Sequence, residues 1–351
     1  MIGEYERPAA APGGLRLHLN ENTAGCSPRA LAALQELTGE DVAFYPDYAA
    51  VERDAATYLG MPREQVALIN GLDEGIFVAV VAVARDTVAG TSAIRPEVIV
   101  PLPAFDMYGI TTRAVGALLV EVMPEPDFRL PVSGLLSAVT PRTRLVFITS
   151  PNNPTGVRVS LGDIDWVASA LPAGALLFVD EAYHDFCGDT ALPLIGSRPN
   201  VIVGRTFAKG HGLAALRAGC LIAHPDTLAR IRPLVPPYSL NVCAAAGLQA
   251  ALADRDRLAW YVGQVERSRE IIYDMCARLK LTYWTSGGNF VLVRVGERPA
   301  DIVARLAARG IFIRNRSSEP GCAGCVRITA GVVEHTIRCV GALEEILCGE
   351  L

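Results

Sequence analysis

Five side chains that can do chemistry follow short apolar runs of the sequence. Asn153 follows the first of three such runs, Asp180 and Tyr183 follow the second, and Lys209 and Arg217 follow the third. In a parallel sheet the carboxyl ends of the strands meet at one edge, and ligands of open α/β sheets bind there. If each run is a strand of such a sheet, we expect the five side chains around one site.

This set of side chains has the chemistry to hold pyridoxal 5′-phosphate (PLP). A lysine amine forms a Schiff base with the PLP aldehyde, which makes Lys209 the candidate anchor. A carboxylate such as Asp180 keeps the pyridine nitrogen protonated by charge pairing. Amide and phenol groups can donate hydrogen bonds to the ring oxygen, and an arginine fork with helix-start N–H groups can hold the phosphate. The residues therefore predict PLP as the cofactor.

The elements that would position these residues alternate between strand and helix. Continuous apolar runs between helical patterns predict a buried, mostly parallel sheet in a doubly wound α/β domain. The seven predicted strands lie near residues 66–69, 98–100, 118–122, 145–149, 176–179, 201–203 and 220–223.

The remainder of the chain predicts a second, smaller α+β unit. Residues 241 to about 281 are rich in Ala and Arg and contain no proline, which predicts one long helix that bridges two domains. The first forty residues are predicted to be extended and to pack on another element. We therefore predict an N-terminal arm with part of the small domain at 1–40, a large PLP-binding domain at 41–240, and an interdomain helix with the small domain at 241–351.

Composition and charge exclude several classes of function. Half of the 351 residues are apolar, a fifth are charged and the net charge is −5, as in a soluble globular protein. Without a run of Lys or Arg, nucleic acid and membrane are poor partners, and no apolar stretch reaches the roughly 20 residues that span a bilayer. Nine cysteines without a framework predict reduced thiols in the cytoplasm. Cys322 and Cys325 lack a second ligand pair, so we predict no metal site.

The chain resembles the fold-type I, class I and II PLP-dependent aminotransferases, and among them the histidinol-phosphate aminotransferase family. The matching segments occur in the family's order over nearly the whole chain, although each is short. They are Leu19-Asn20-Glu21-Asn22, Tyr45-Pro46-Asp47, Gly71-Leu72-Asp73-Glu74-Gly75-Ile76, Pro103-Ala104-Phe105-Asp106-Met107-Tyr108, residues 150–156, Asp180-Glu181-Ala182-Tyr183, residues 205–217, Asn289-Phe290 and residues 326–331.

The resemblance implies a role for each matching residue. Lys209 would be the Schiff-base lysine and proton shuttle, and Asp180 and Tyr183 would complete the catalytic set. The cofactor-binding residues would be Leu72, Asp73, Phe105, Asn153, Asp180, Tyr183, Thr206, Lys209 and Arg217, with Tyr45 contributed by the partner subunit of a homodimer. The substrate-binding residues would be Arg327, Arg314, Asn153 and Tyr5.

The resemblance also implies the reaction. A small-molecule amine, for which histidinol phosphate is the best candidate, would pass its amino group to 2-oxoglutarate by a ping-pong mechanism. Two alternatives with the same fold stay open: a donor of the aromatic or another specialised class, and decarboxylation of a phosphorylated amino acid.

Some residues depart from the family pattern or have simpler interpretations. Phe105 replaces a tyrosine and is also typical of a core residue, Ala208 replaces a serine, and Asp180 also fits a helix N-cap. His211 is typical of a loop histidine as well as of a catalyst. Residues 210–215 fit the G-x-G-x-x-A fingerprint, so an NAD(P)-binding oxidoreductase remains the alternative that does not use PLP.

Overall fold

The computed structural model describes residues 13–88 and 95–349. The strands are β1 (Leu15–Arg16), β2 (Val66–Asn70), β3 (Glu97–Pro101), β4 (Leu118–Val122), β5 (Thr143–Thr149), β6 (Leu176–Asp180), β7 (Val201–Thr206), β8 (Ala218–Ala223), β9 (Thr282–Tyr283), β10 (Phe290–Arg294), β11 (Ile311–Phe312), β12 (Arg314–Asn315) and β13 (Cys325–Thr329). The α-helices are α1 (Pro28–Gln35), α2 (Gly39–Ala43), α3 (Ala49–Leu59), α4 (Leu72–Val88), α5 (Asp106–Ala114), α6 (Val132–Ala138), α7 (Leu161–Ala170), α8 (Pro225–Ile231), α9 (Val242–Ala253), α10 (Arg255–Arg278), α11 (Pro299–Ala308) and α12 (Val333–Cys348).

Seven strands form the central sheet, in the order β2-β8-β7-β6-β5-β3-β4. Successive side chains of a strand point to opposite faces, and here both faces are covered. Helices α3, α7 and α9 pack on one face, and α4, α5 and α8 pack on the other. This double burial explains why the strands read as continuous apolar runs. The predicted α/β fold with a mostly parallel seven-stranded sheet is confirmed.

One strand of this sheet is reversed. The pairs among β3, β4, β5, β6 and β7 are parallel, whereas β8 runs antiparallel to both β2 and β7. The beginning of β8 therefore lies at the carboxyl edge of the parallel strands, where Gly219 pairs with Thr206. This reversal brings Arg217, which immediately precedes β8, to the same edge as Asp180.

A second sheet organises the C-terminal unit. It is antiparallel, in the order β12-β13-β10-β9, and its core includes residues of α10, α11 and α12. Strand β1 pairs with β11, so the N-terminal segment packs on this unit, as expected for the arm. The boundaries at residues 40 and 240 stay predictions.

The structure corrects two expectations about the helices. The single long helix predicted for residues 241 to about 281 is two helices, α9 and α10, separated at Asp254. Asp254 has φ −98° and ψ 61°, outside the helical region, and its carboxylate accepts a hydrogen bond from the Ser27 hydroxyl. The N-terminal forty residues are not wholly extended, because they contain α1 and the start of α2; Ser27 caps α1 and Thr38 caps α2. Within the described ranges, no helix combines the length and apolar character needed to cross a membrane.

Candidate active site

A cavity lies at the carboxyl edge of the central sheet and also reaches residues of the antiparallel sheet. Most of the predicted site residues line it. They are Leu72, Asp73, Phe105, Asn153, Asp180, Tyr183, Thr206, Lys209, Arg217 and Arg327. Tyr45 and Arg314 are not among the lining residues, and Tyr5 lies outside the described residues.

Lys209 follows β7 and directs its amine into the cavity. Its Nζ atom donates a hydrogen bond to the Leu19 carbonyl at 3.2 Å and lies 5.9 Å from the centre of the Tyr183 ring. The acceptor is a neutral carbonyl, so the amine can leave it without breaking an ion pair. The long, flexible side chain can then reach a ligand in the cavity.

Asp180 ends β6 with a carboxylate that is 4% exposed. Its Oδ1 atom accepts a hydrogen bond from the Ala182 N–H at 2.9 Å, and its Oδ2 atom accepts one from the Tyr108 hydroxyl at 2.6 Å. Burial raises the pKa of Asp180 to about 6, and the hydrogen bond from Tyr108 opposes that rise. The carboxylate is thus oriented by two donors and still ionises near neutral pH.

Tyr108 is a site residue that the sequence analysis did not single out. It is 1% exposed, its ring stacks on Phe147 with centroids 4.3 Å apart, and its hydroxyl also lies 2.8 Å from the Thr149 hydroxyl. Burial raises the pKa of this phenol well above its ordinary value, so it stays a donor to Asp180. The signal was present in the Pro103–Tyr108 segment, because Tyr108 lies one helical turn from Phe105.

Arg327 lies on one side of the cavity and contacts both the loop after β5 and the N-terminal segment. Its guanidinium donates hydrogen bonds to Asn153 Oδ1 and, at 2.8 Å, to the His18 carbonyl. The side chain is only 3% exposed. Because the side-chain oxygen of Asn153 accepts a hydrogen bond from Arg327, the NH₂ group of Asn153 is the part that can donate to a ligand. Tyr183 is held in a similar way, because its hydroxyl oxygen accepts a hydrogen bond from Asn20 Nδ2 at 2.9 Å.

The predicted phosphate end of the cavity lies at the start of α4. Gly71 has φ 74°, and a Cβ atom there would lie 2.6 Å from Arg217 Nη2, so glycine permits both the turn and the approach of the guanidinium. Arg217 Nη2 donates to the Asp73 carboxylate at 2.6 Å. Helix-start N–H groups at Leu72 and an arginine attract phosphate, and Thr206 adds a hydroxyl at the end of β7.

Phe105 lies just before α5 and lines the cavity. Its ring meets the Tyr108 ring edge-on, with centroids 5.9 Å apart and an interplanar angle of 89°. An aromatic face beside a cavity suits stacking on a planar heterocycle. Its assignment as the stacking residue stays a prediction with this support.

Besides Arg327 of β13, the cavity is lined by Arg316, which directly follows β12, and not by Arg314. Arg314 lies in β12, opposite Arg327 of β13. Arg316 follows two residues later, and its Nη1 atom donates to Glu319 at 2.8 Å. Residues two apart in an extended chain share a face, and this spacing was the only sequence signal for Arg316.

Tyr45 lies on the surface, away from the cavity of its own chain. It is 76% exposed and stacks on Tyr238 with ring centroids 4.0 Å apart. Val42 and Phe44 beside it are also exposed. Exposed apolar side chains such as these four are typical of an interaction surface.

The structure disfavours the remaining interpretations of the glycine-rich segment. His211 is 6% exposed, its Nε2 atom lies 3.2 Å from the Tyr58 hydroxyl, and burial lowers the pKa of its imidazole. It does not line the cavity and therefore packs rather than reacts. Residues 210–215 lead into a short 3₁₀ turn and β8, not into an α-helix, so they lack the helix start that a dinucleotide fingerprint requires.

Among the described residues, Cys322 and Cys325 belong to no metal-binding cluster. Cys322 and Cys325 are both buried. In the part of the chain that the structure describes, no group of three or more His, Cys, Asp or Glu side chains is arranged to hold a metal ion.

The described residues fit PLP as the ligand of the cavity. Asp180 is a buried carboxylate that forms no ion pair with any described Lys, Arg or His; its two close partners are neutral donors. A buried charge is stabilised by an opposite charge, and a protonated pyridine nitrogen would supply one. An amine stands at Lys209 and an anion-binding helix start at Leu72, so the aldehyde and the phosphate also have matching groups.

Comparisons with known proteins agree with this fit. The family model for aminotransferase class I and II matches residues 12–340. The histidinol-phosphate aminotransferase of Methanocella arvoryzae is 35% identical over 95% of this chain and 90% of its own length. Histidinol-phosphate aminotransferase 2 of Carboxydothermus hydrogenoformans is 31% identical over 99% of this chain and 94% of its own length. The structure of histidinol-phosphate aminotransferase from Sinorhizobium meliloti in complex with pyridoxal-5′-phosphate has a TM-score of 0.83 and 29% identity, covering 96% of this chain and 91% of that chain.

Proposed function

Because the chain belongs to the aminotransferase class I and II family, we propose that it transfers the amino group of histidinol phosphate to 2-oxoglutarate. As a member of that family it is a PLP-dependent transaminase, and the proposal adds the donor and the acceptor. The observation that carries it is the presence of Lys209, Asp180 and Arg327 in one cavity. The first two suit transamination, and the third suits an acidic substrate.

The cofactor would be held from four sides. When bound, PLP supplies an aldehyde that condenses with amines and a ring that draws electrons away from the substrate's α-carbon. Lys209 would bind at the aldehyde, Asp180 at the ring nitrogen, Asn153 and Tyr183 at the ring oxygen, and Phe105 on the ring face. The phosphate would be bound by Leu72, Asp73, Thr206 and Arg217.

The chain's own contribution to catalysis is proton transfer and charge. The Lys209 amine would act as a positioned general base that takes the proton from the substrate's α-carbon, and then as the acid that returns a proton. Asp180 stays ionised at neutral pH because its pKa is about 6, and its negative charge favours a protonated ring nitrogen. The hydrogen bond from Tyr108 keeps that carboxylate ionised and oriented.

The substrate end of the cavity supports a donor that carries an acid group. Arg327 is buried and held by Asn153 and His18, and a fixed guanidinium binds phosphate or carboxylate with two hydrogen bonds. The relatives named as histidinol-phosphate aminotransferases favour histidinol phosphate among such donors.

We further propose that the active unit is a homodimer. The second copy would cover the exposed side chains of Val42, Phe44, Tyr45 and Tyr238. Tyr45 would donate a hydrogen bond from its hydroxyl to the phosphate in the partner's cavity. Its 76% exposure on its own chain supports a role outside that chain. All nine cysteines are unpaired, which fits a reducing compartment such as the cytoplasm.

A panel of single donors tests the proposed reaction. The loaded enzyme is mixed with histidinol phosphate, histidinol, phenylalanine or phosphoserine without a keto acid, and conversion of PLP to pyridoxamine phosphate is followed by absorbance. We expect histidinol phosphate to react with the highest kcat/KM. A higher kcat/KM for phenylalanine would show that the donor is an aromatic amino acid. Release of carbon dioxide would identify the enzyme as a decarboxylase.

A further inference from the structure

Arg316 is a cation of the cavity that neither the cofactor nor the predicted substrate residues account for. Its side chain is 14% exposed, so most of it is withdrawn from water. Its backbone N–H donates to the carbonyl of Cys325 at 3.0 Å. This bond holds Arg316 beside the first residue of β13, and Cys325 precedes Arg327 by two residues. The C-terminal unit therefore supplies two arginines to the cavity, Arg327 from β13 and Arg316 from the residue after β12.

The guanidinium of Arg316 has unused hydrogen-bonding capacity. Its Nη1 atom donates to Glu319, but its buried Nε atom has no hydrogen-bond partner among the described residues. A buried donor without a partner costs free energy that a ligand oxygen would recover. Nε and Nη2 together form the edge of a guanidinium that binds carboxylate or phosphate through two parallel hydrogen bonds.

Glu319 is the counter-ion of Arg316 and leaves one edge of the guanidinium available. The turn from Arg316 to Glu319 is closed by a backbone hydrogen bond of 3.0 Å, so the two side chains are held as a local pair. Burial raises the pKa of Glu319; Arg316 opposes that rise, and the nearby charge of Asp106 adds to it. Glu319 also bonds to one guanidinium nitrogen only, so an incoming acid can bind the other edge.

We propose that Arg316 is a specificity-determining residue that binds an acidic group at the far end of the substrate, with Glu319 as its counter-ion when no substrate is bound. The inference rests on the proposed transaminase function, and it differs from the family resemblance, which points to Arg314 as the second acid ligand. A phosphate or a carboxylate offers two charged oxygens to the free edge formed by Nε and Nη2. A neutral alcohol offers one uncharged oxygen and cannot pair with both nitrogens.

Binding of unreactive analogues to the holoenzyme tests this proposal without requiring turnover. Calorimetry would compare histidinol phosphate lacking its amine, the corresponding alcohol, and glutarate. Arg316→Gln should weaken binding of the phosphate analogue about 10- to 100-fold, the effect of losing charge-assisted hydrogen bonds, and change alcohol binding less than about twofold. A matching loss for glutarate would identify any distal acid as the ligand, and its absence would restrict the site to phosphate. Arg314→Gln is the matched control and should change each affinity less than about threefold.

Two further variants guard against a trivial loss of structure. Arg316→Lys keeps the charge but not the two-nitrogen edge, and should give an intermediate loss. Glu319→Gln removes the counter-ion and should tighten binding of the phosphate analogue about three- to tenfold. Equal losses for the phosphate analogue and the alcohol, a similar effect of Arg314→Gln, or unchanged binding in Glu319→Gln would overturn the proposal.

The outcome also separates this inference from the proposed function. If no donor is transaminated but Arg316→Gln selectively weakens acid binding, the transaminase proposal fails and the role of Arg316 stands. If histidinol phosphate is transaminated but Arg316→Gln weakens binding of the phosphate analogue and the alcohol equally, the transaminase proposal stands and the role of Arg316 fails.

Discussion

Replacing Tyr108 by phenylalanine tests how the carboxylate of Asp180 is kept ionised. The Tyr108 hydroxyl donates to Asp180 Oδ2 at 2.6 Å, and this bond lowers a pKa that burial raises to about 6. Phenylalanine keeps the ring, which stacks on Phe147, and removes only the donor. The substitution therefore removes the hydrogen bond to Asp180 together with the contact to the Thr149 hydroxyl.

The size of the effect follows from the charge on the acceptor. A hydrogen bond to a charged group contributes about 1.5–3 kcal/mol, and one pKa unit corresponds to about 1.4 kcal/mol. The pKa of Asp180 should therefore rise by about one to two units in Tyr108→Phe. At pH 7 most Asp180 carboxylates of the parent are ionised, but about half or fewer of those of the variant would be.

The assay is the affinity of the apo-protein for PLP as a function of pH. Ionised Asp180 pairs with the protonated ring nitrogen, so affinity should fall as the pH drops through the pKa of Asp180. We expect the midpoint of this fall to lie about one to two pH units higher in Tyr108→Phe. Thr149→Val is the control, because its hydroxyl contacts Tyr108 and not Asp180, and its midpoint should move by less than about half a unit. A midpoint that stays at the parental pH, or moves lower, would refute the reasoning.

Three other substitutions have defined outcomes. Burial raises the pKa of Asp180 from 3.8 to about 6. The free energy of unfolding of the apo-protein should therefore fall by about 3 kcal/mol as the pH rises from below 3.8 to above 6. Asp180→Asn should abolish this fall and unfold at a higher urea concentration than the parent at pH 7. Gly71→Ala places a Cβ 2.6 Å from Arg217 Nη2 at a position with positive φ, so it should lower stability by about 1–3 kcal/mol and also weaken PLP binding. Gly60→Ala is the control: Gly60 has φ 66° and open space around it, so this variant should lower stability alone. Equal PLP affinities of the two variants would contradict this prediction. Tyr45→Phe should weaken PLP binding by about tenfold through loss of one hydrogen bond to phosphate, measured by equilibrium dialysis, and an unchanged affinity would remove Tyr45 from that role.

Much of the sheet and of the site could be predicted from the sequence because both depend on local patterns. Continuous apolar runs identify buried strands, and the rule that ligands bind at the carboxyl edge directs attention to Asp180 and Lys209. The sequence also predicted Arg217 at this edge, but from the assumption that the strands are all parallel. It lies there because β8 is reversed, and strand direction depends on pairing that the local sequence does not encode.

The features that the sequence did not predict depend on tertiary distances. The bond between Tyr108 and Asp180 joins residues 72 positions apart, and no periodicity reports such a contact. The break at Asp254 interrupts a strongly helical sequence and is accompanied by a bond to Ser27 from another helix cap. Arg316 lines the cavity and Arg314 does not, although the two positions share a face of an extended chain. Strand β12 ends at Asn315, so which arginine reaches the cavity depends on tertiary packing and not on spacing in the sequence.

The central claim is that Lys209 is the residue that carries PLP, and borohydride reduction tests it most directly. The sequence contains two lysines, Lys209 and Lys280, and Lys280 is exposed on the surface, so it serves as an internal control. After reduction of the holoenzyme and proteolysis, mass spectrometry should find the pyridoxyl group on Lys209 alone, and Lys209→Ala should lose both the modification and transamination. A pyridoxyl group on Lys280, or none on either lysine, would contradict the account.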